Sequence, residues 1–369
     1  MGKIFGTVVF GGALAVLVLL AIFANKLPQG KMDGGGVAYA GEYKITGPFT
    51  HDNLSIFLIH GKSTDSADYI TLEEGLKSGV VVVSEKGGGE NAQVNELEIE
   101  NKGVKPCYVQ AGDIVKGGKQ DRTLAVDFVV PPRSGKKPIQ SFCVERGRWH
   151  TRVGGRGGGY AQFSLAGGDY SRLLSITSKE LKLAAKKSAN QNEVWEKVAE
   201  QQDNLEEALE DKGIIAEARK VKASDSSTSL ALSLENKGVQ QTADAYVNAL
   251  SNYIADKDDV IGYCFAINGK MNSADIYGSN ALFKKLWPKL LRSSAVEALS
   301  EYRKDAKFET PSNGYVGNWI KNMEPANAAK TEKNVAEKIK MITSETSENV
   351  LFDTVIDGKK RIHRNYIKK

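Results

Sequence analysis

The chain has 369 residues, of which 41% are hydrophobic and 26% charged. That is enough for two domains, or one large domain with an appendage, and ordinary for a protein that buries a real core. The net charge of +5 is small for this length, and a nucleic-acid binder carries a concentrated basic stripe, so composition argues against that partner.

Ile4 through Ala24 holds no charged residue and is dominated by Val, Leu, Ala and Ile. The run is near the length a helix needs to cross a bilayer. The core of a cleaved signal is typically shorter, about 7–15 apolar residues. Two readings stand: residues 1–24 form a membrane anchor through 4–24, or they form a signal cut after the small-x-small triplet Ala38-Tyr39-Ala40. Either puts the body outside the cytoplasm, anchored to the membrane or secreted and periplasmic. Residues 25–44, with Gly34-Gly35-Gly36, read as a linker.

Residues 45–175 read as a β-rich domain. Short apolar runs at Leu54–Ile59, Val80–Ser84, Val94–Ile99, Tyr108–Val115, Thr123–Val130 and Ile139–Val144 are each bounded by Gly, Pro, Asn or Asp. One short helix falls near Leu72–Lys77. Gly154 to Gly159 lacks the Gly-Lys-Ser/Thr of a phosphate loop and reads as a surface loop. Residues 176–308 read as mainly helical. Glu180 to Asp211 places Val194, Trp195, Val198, Leu205 and Leu209 at helical intervals. A second helix follows near Val239–Ala255, then a hairpin of Val260–Ile267 and Met271–Tyr277 around Asn268-Gly269. Ser279 caps a further helix, which Pro288 interrupts. Residues 309–369 form a C-terminal extension with a hairpin over Asn349–Tyr366 around Asp357-Gly358, and end in a basic cluster read as a solvated tail. The fold class is α+β: an antiparallel β sandwich or barrel followed by a mainly helical half, with an N-terminal membrane helix.

Chemistry concentrates in two segments. In Gln110–Arg122 a strand leads into a Gly117-Gly118 turn and a dense set of long polar side chains. Arg122 shares parity with Leu124, Val126 and Phe128, so its charge points along an apolar face and needs a partner or a bound anion. In Ser141–His150, alternation sends Ser141, Cys143 and Glu145 to one face. Glu145 then precedes a Gly-hinged turn bearing Arg146, Arg148 and Trp149. Arginine suits bidentate phosphate or carboxylate recognition, and an indole stacks on bases or sugars. The competing reading is structural, a Glu145–arginine ion pair pinning the turn with Trp149 in the core. Cys107, Cys143 and Cys264 make no metal pattern. In an exported body one pair could form a disulfide; the plainer reading is small buried hydrophobes. His51, His60, His150 and His363 have no metal-ligand spacing, and the sequence names no metal and no cofactor.

Gly117-Gly118-Lys119-Gln120-Asp121-Arg122, then Val130-Pro131-Pro132, then Cys143-Val144-Glu145-Arg146-Gly147-Arg148-Trp149 resemble the signature run of the ARG and Rhodanese-Phosphatase-superfamily-associated domain family (ARPP). Gln191-Asn192-Glu193-Val194-Trp195 and the stretch from Gly262 to Gly278 are similar to it too. The resemblance covers roughly residues 45–305, so the β-rich and helical parts form one such unit. It implies a link with ADP-ribosylglycohydrolases and phosphatase-like domains, in ADP-ribose or NAD-linked metabolism. On that footing the partner is a nucleotide-derived small molecule, and the chain binds, and in one version processes, an ADP-ribose-like or other phosphorylated ligand. Lys119, Gln120, Arg122 and Arg148 would hold the anion, Glu145 would act as general base or orient a hydroxyl, and Trp149 would stack. The alternative is a non-enzymatic envelope binding or scaffold protein, in which the same cluster is a recognition site or an ion-pair knot.

Overall fold

Two hairpins close on turns that few residue types tolerate. Asn268 and Gly269 take φ of 49° and 74° between strands Val260–Ile267 and Lys270–Tyr277; Asp357 and Gly358, at 49° and 69°, do the same between Asn349–Ile356 and Lys360–Lys368. Positive φ at both central residues matches the twist of paired strands, which is why Asn-Gly and Asp-Gly sit here. The computed structural model describes residues 31–32, 37–87, 95–148, 163–165, 175–222, 226–323 and 328–369.

These hairpins belong to one ten-stranded antiparallel sheet. In chain order its strands are β1 (Lys31–Met32), β2 (Val37–Ala40), β3 (Tyr43–His51), β4 (Leu54–His60), β14 (Val260–Ile267), β15 (Lys270–Tyr277), β16 (Ala329–Ala336), β17 (Ile339–Glu345), β18 (Asn349–Ile356) and β19 (Lys360–Lys368). In space they run β1-β3-β4-β14-β15-β19-β18-β17-β16, with β2 beside β3. A six-stranded sheet, β13-β9-β10-β12-β7-β6, uses β6 (Val81–Glu85), β7 (Glu96–Asn101), β9 (Ile114–Gly117), β10 (Arg122–Leu124), β12 (Lys136–Cys143) and β13 (Phe163–Leu165). A three-stranded sheet, β11-β8-β5, joins β5 (Ile70–Thr71), β8 (Cys107–Val109) and β11 (Phe128–Val130), with β5 and β8 parallel.

The helices are α1 (Leu72–Lys77), α2 (Lys179–Leu183, continuing as a π turn over Ala184–Ser188), α3 (Gln191–Asp211), α4 (Ile215–Ala218), α5 (Leu230–Leu234), α6 (Lys237–Leu250), α7 (Asn280–Ser300) and α8 (Asn313–Asn322). The centre of the large sheet is covered on both faces. Leu54, Ile56 and Leu58 of β4 pack in the cluster that holds Leu282, Phe283 and Leu286 of α7. The alternate residues Phe57 and Ile59 join Val316, Trp319 and Ile320 of α8 on the other side. Period-two alternation thus sorts one apolar run between two helices. Where β14 meets β15 the backbones leave no room for a side chain: a Cβ on Gly262 would lie 2.3 Å from the Asp275 carbonyl oxygen and 2.9 Å from Ile276 Cα. Gly262→Ala should lower stability by about 2 kcal/mol, read from thermal melts, because neither backbone can retreat without breaking ladder hydrogen bonds.

Several expectations are corrected here. There is no β domain followed by a helical half, since β14, β15 and the four C-terminal strands complete the sheet that β3 and β4 begin. The chain reads as helical after Ser178 because its amphipathic helices dominate the pattern there, while the closing strands carry few long apolar runs. The N-terminal membrane helix, and with it the membrane anchor and the extracytoplasmic localisation, is not supported. Among the described residues no helix is long and apolar enough to cross a membrane. The two helices of 21 residues, α3 and α7, carry charged residues such as Glu193, Lys197, Lys284 and Arg292 within them. Residues 4–24 and Gly34–Gly36 lie outside the described residues, as do His150 and Gly154–Gly159.

The runs Tyr108–Val115 and Thr123–Val130 are not single strands. Each is split between the six-stranded and three-stranded sheets, the first at Gln110–Asp113 and the second at Ala125–Asp127. Gly112, at φ 94°, makes the first crossing, where a Cβ would meet Ile176 and Thr177 at 2.9 Å. Asp127 ties the crossings together by accepting from the Ala111 amide (2.9 Å). Glu180–Asp211 is also divided, because Ala189 takes φ 49° and Asn190 then caps α3. Pro288 does not interrupt α7, which runs through it. A proline inside a helix costs about 3 kcal/mol, and burial of Leu282, Phe283, Leu286, Leu290 and Leu291 on both sides of it offsets that cost. All three cysteines are free and buried. Burial pushes the Cys143 thiol up to about 11, so it is no nucleophile near neutral pH.

Candidate functional site

The two polar segments converge because β10 pairs with both β9 and β12, placing Arg122 opposite Cys143. Glu145 and Arg148 form a two-pronged pair, with Nε donating to Oε1 and Nη2 to Oε2, both at 2.7 Å. Glu145 Oε2 also accepts from the Asp121 amide (3.1 Å). Arg148 Nη1 donates to the Gly118 carbonyl (3.0 Å), and Nη2 lies 3.6 Å from Asp121 Oδ1. Asp121 in turn accepts from the Gly117 amide (3.0 Å) and from the Ser229 hydroxyl (2.7 Å). Arg122 is fully buried; its Nη1 donates to the Gln120 carbonyl (3.0 Å) and its Nη2 lies 3.8 Å from Glu85 Oε2. The Lys119 amide donates to the other Glu85 oxygen (2.9 Å).

Lys119, Gln120, Arg122, Glu145 and Arg148 are therefore brought together, while Trp149 lies outside the described residues. Together they hold the Gly117-Gly118 turn against the Val144–Arg148 turn. Glu145 is wholly buried and both its oxygens are engaged within the protein. A general base needs a free oxygen within reach of the proton it takes.

The outer face of the same turn is open. Gln191, first residue of α3, clamps the backbone of Cys143: Oε1 accepts from its amide and Nε2 donates to its carbonyl, both at 2.8 Å. The Thr228 hydroxyl grips Arg146 similarly, accepting from its amide (3.1 Å) and donating to its carbonyl (2.7 Å). Between these clamps is a groove of about 490 Å³, lined by Arg146, Asn192, Trp195, Glu196, Gln202 and Thr228 among others. The exposed Arg146 guanidinium sits 5.4 Å from the centre of the Trp195 ring, within cation–π range. Trp195 Nε1 is buried and has no hydrogen-bond partner. Trp195 reads in sequence as one more apolar position of an amphipathic helix; only its place beside Arg146, in a separate segment, marks it as different.

A second polar assembly lies in the core, between the large sheet and the Asp127 crossing. His363 Nδ1 lies 3.2 Å from Asp127 Oδ2 and Nε2 lies 2.9 Å from Asp275 Oδ1. Its ring stacks on Tyr277 at 4.5 Å. Asp127 also accepts from the Ala111 amide (2.9 Å), the Thr354 hydroxyl (2.9 Å) and the Tyr108 hydroxyl (3.3 Å), and Lys186 Nζ is 3.9 Å away. Burial alone would lower the pKa of His363, but Asp127 and Asp275 outweigh it and raise it. Each ring nitrogen faces a carboxylate oxygen, an arrangement that suits the imidazolium, which donates from both. Burial opposes ionisation of Asp127 too, yet His363 and Lys186 hold its carboxyl well below the usual range. None of these partners is close in sequence, so no spacing announces them. Among the described residues no group of three or more His, Cys, Asp or Glu could hold a metal ion.

The molecule is thus a mainly β-sheet protein with a pinned charged turn whose outer face opens on an arginine–tryptophan groove. The chain belongs to the ARG and Rhodanese-Phosphatase-superfamily-associated Protein domain family, whose model matches residues 42–367. That match reaches well past residue 305 and takes in all four C-terminal strands. No curated protein and no solved structure matches the chain.

Proposed function

We propose that this chain binds a phosphorylated, nucleotide-derived ligand of the ADP-ribose type in the groove between the Val144–Arg148 turn and α3. The observation that carries the reading is the exposed Arg146 guanidinium beside Trp195 at the wall of an open groove. A guanidinium presents a planar fork of donors to a phosphate, and an indole offers a flat face to a base or sugar. The unpartnered Trp195 Nε1 adds a donor, and the groove falls within the usual range for small-molecule sites, about 300–1,000 Å³. Both walls come from segments that carry the family resemblance, Cys143–Trp149 and Gln191–Trp195. Binding without turnover is favoured by Glu145, whose two oxygens Arg148 and the Asp121 amide take up.

The test is calorimetric titration of the full chain with ADP-ribose, set against Arg146→Ala and Trp195→Ala. Saturable binding to the wild type is expected, with Arg146→Ala weaker by about 10–100-fold, the worth of a hydrogen bond to a charged group. Both variants should melt with the wild type, since neither side chain is part of the buried pairs. No heat from a folded wild type, or an unchanged Kd in Arg146→Ala, would sink the reading.

A further inference from the structure

A separate cleft of about 240 Å³ opens between α2, α3 and the end of α7. Lys197, Gln201 and Asn204 line it; at helical spacing they lie on the face of α3 opposite Asn192, Trp195 and Ala199. Its cations are already matched, Lys197 with Glu200 at 2.6 Å and Lys179 with Glu180 at 3.7 Å. Its other two acids, Glu297 and Glu301, have no ion-pair partner among the described residues. Glu297 is 6% exposed, and its Oε1 accepts from Asn272 Nδ2 (2.8 Å) and from the Lys179 amide (3.2 Å). Burial first, and the Glu180 charge second, push its carboxyl up to about 8. With Oε1 already accepting twice, Oε2 is the oxygen left to carry the proton when the acid is neutral.

The hydrogen-bond deficit around this acid has a direction. Gln201, only 7% exposed and lining the cleft, has an amide oxygen with no partner. Asn272, directly behind Glu297, has the same deficit at Oδ1. The unmet groups are oxygens that accept, beside two carboxyls that make no ion pair among the described residues, and a buried acceptor without a donor costs about 1–3 kcal/mol. What the cleft lacks is a positively charged group with several N–H bonds.

We propose that this cleft binds a small molecule through a guanidinium group, which sits between Glu297 and Glu301 and donates to Gln201. A guanidinium carries five N–H donors in one plane and stays charged where an acid of this kind ionises, which an uncharged amide or sugar cannot match. Binding releases the Glu297 proton to solvent, leaving a carboxylate paired with the ligand. The charged groups facing Glu297 are Lys179, Glu180 and Lys182 of α2, Glu301 beyond α7, and Lys197 and Glu200 across the cleft.

The experiment is calorimetric titration of the full chain with agmatine from pH 6 to 9, with tetramethylammonium as a cation of equal charge that has no N–H. Agmatine affinity should rise by about tenfold per pH unit up to 8 and level off above it, as expected when one proton must leave. Glu297→Gln keeps the shape of the neutral acid and should flatten that slope. Glu301→Gln, on the half-exposed rim, should weaken binding by about tenfold. The proposal is overturned if a folded wild type takes up no agmatine at pH 9. It is equally overturned if both variants bind as the wild type does, or if tetramethylammonium binds as tightly.

Discussion

Asp127→Ala should lower the unfolding free energy by about 3–5 kcal/mol, the usual cost of removing one partner from a buried ion pair. The carboxyl holds the His363 imidazolium and Lys186 and takes hydrogen bonds from the Ala111 amide, Thr354 and Tyr108. Removing it strands these donors where water does not reach. The loss should depend on pH with a definite sign. His363 has its folded pKa raised above 6.5, so its contribution is fully present below pH 6.5 and is lost as pH rises through the folded value. Asp127 has its folded pKa depressed below 3.8, so its contribution is present above pH 3.8 and is lost as pH falls through that lower value. The gap between wild type and Asp127→Ala should therefore be widest near pH 5–6 and shrink on the alkaline side. Glu297 titrates over part of the same range, but it is common to both proteins and drops out of the difference. Urea unfolding at pH 5, 7 and 9 measures the gap. A constant loss under about 1 kcal/mol across that range would mean that the assembly does not hold the sheets together.

That assembly also marks where sequence reading stops. Asn268-Gly269 and Asp357-Gly358 are legible as turns, and Ser279 as a cap, because each depends on neighbouring residues alone. Arg122 is half legible. Its parity with Leu124 and Val126 demands a partner, but nothing nearby names Glu85 of β6, which also accepts from the Lys119 amide. Asp127, Asp275 and His363 belong to three segments far apart in sequence, and each alone looks like an ordinary polar residue in a strand-rich chain. The splitting of Tyr108–Val115 and Thr123–Val130 between two sheets has the same origin, since continuous β-forming sequence bends where Gly112 and Asp127 meet a second layer. Pro288 gave the wrong boundary because helix propensity is outweighed when nearly every side of α7 is buried. Glu297 passes in sequence for a solvated helix acid. Only the closing of α2 and α3 over it makes it a neutral acid in a cleft.

Glu145→Gln tests the other buried assembly, and should cost about 3–5 kcal/mol in urea unfolding rather than leave a stable, inactive protein. Among the described residues its two oxygens accept from Arg148 Nε, Arg148 Nη2 and the Asp121 amide, all donors. Glutamine replaces one of those oxygens with an NH2, so in either orientation a donor points at a donor, and the Arg148 charge loses its closest counter-charge. Arg148→Ala should cost a similar amount by stranding Glu145, although Asp121 and the Gly118 carbonyl lose a contact as well. Because the two side chains act as one unit, the Glu145→Ala/Arg148→Ala double variant should lose far less than the sum of its singles, with a coupling energy of about 2–3 kcal/mol. Simple additivity would show that the pair is not the unit its geometry describes. A Glu145→Gln protein that unfolds like the wild type but takes up no ADP-ribose would move the ligand site inward from Arg146 and Trp195, to the buried face of the same turn. The groove reading requires the reverse pattern, in which Arg146→Ala loses ligand and keeps stability while Glu145→Gln loses stability first.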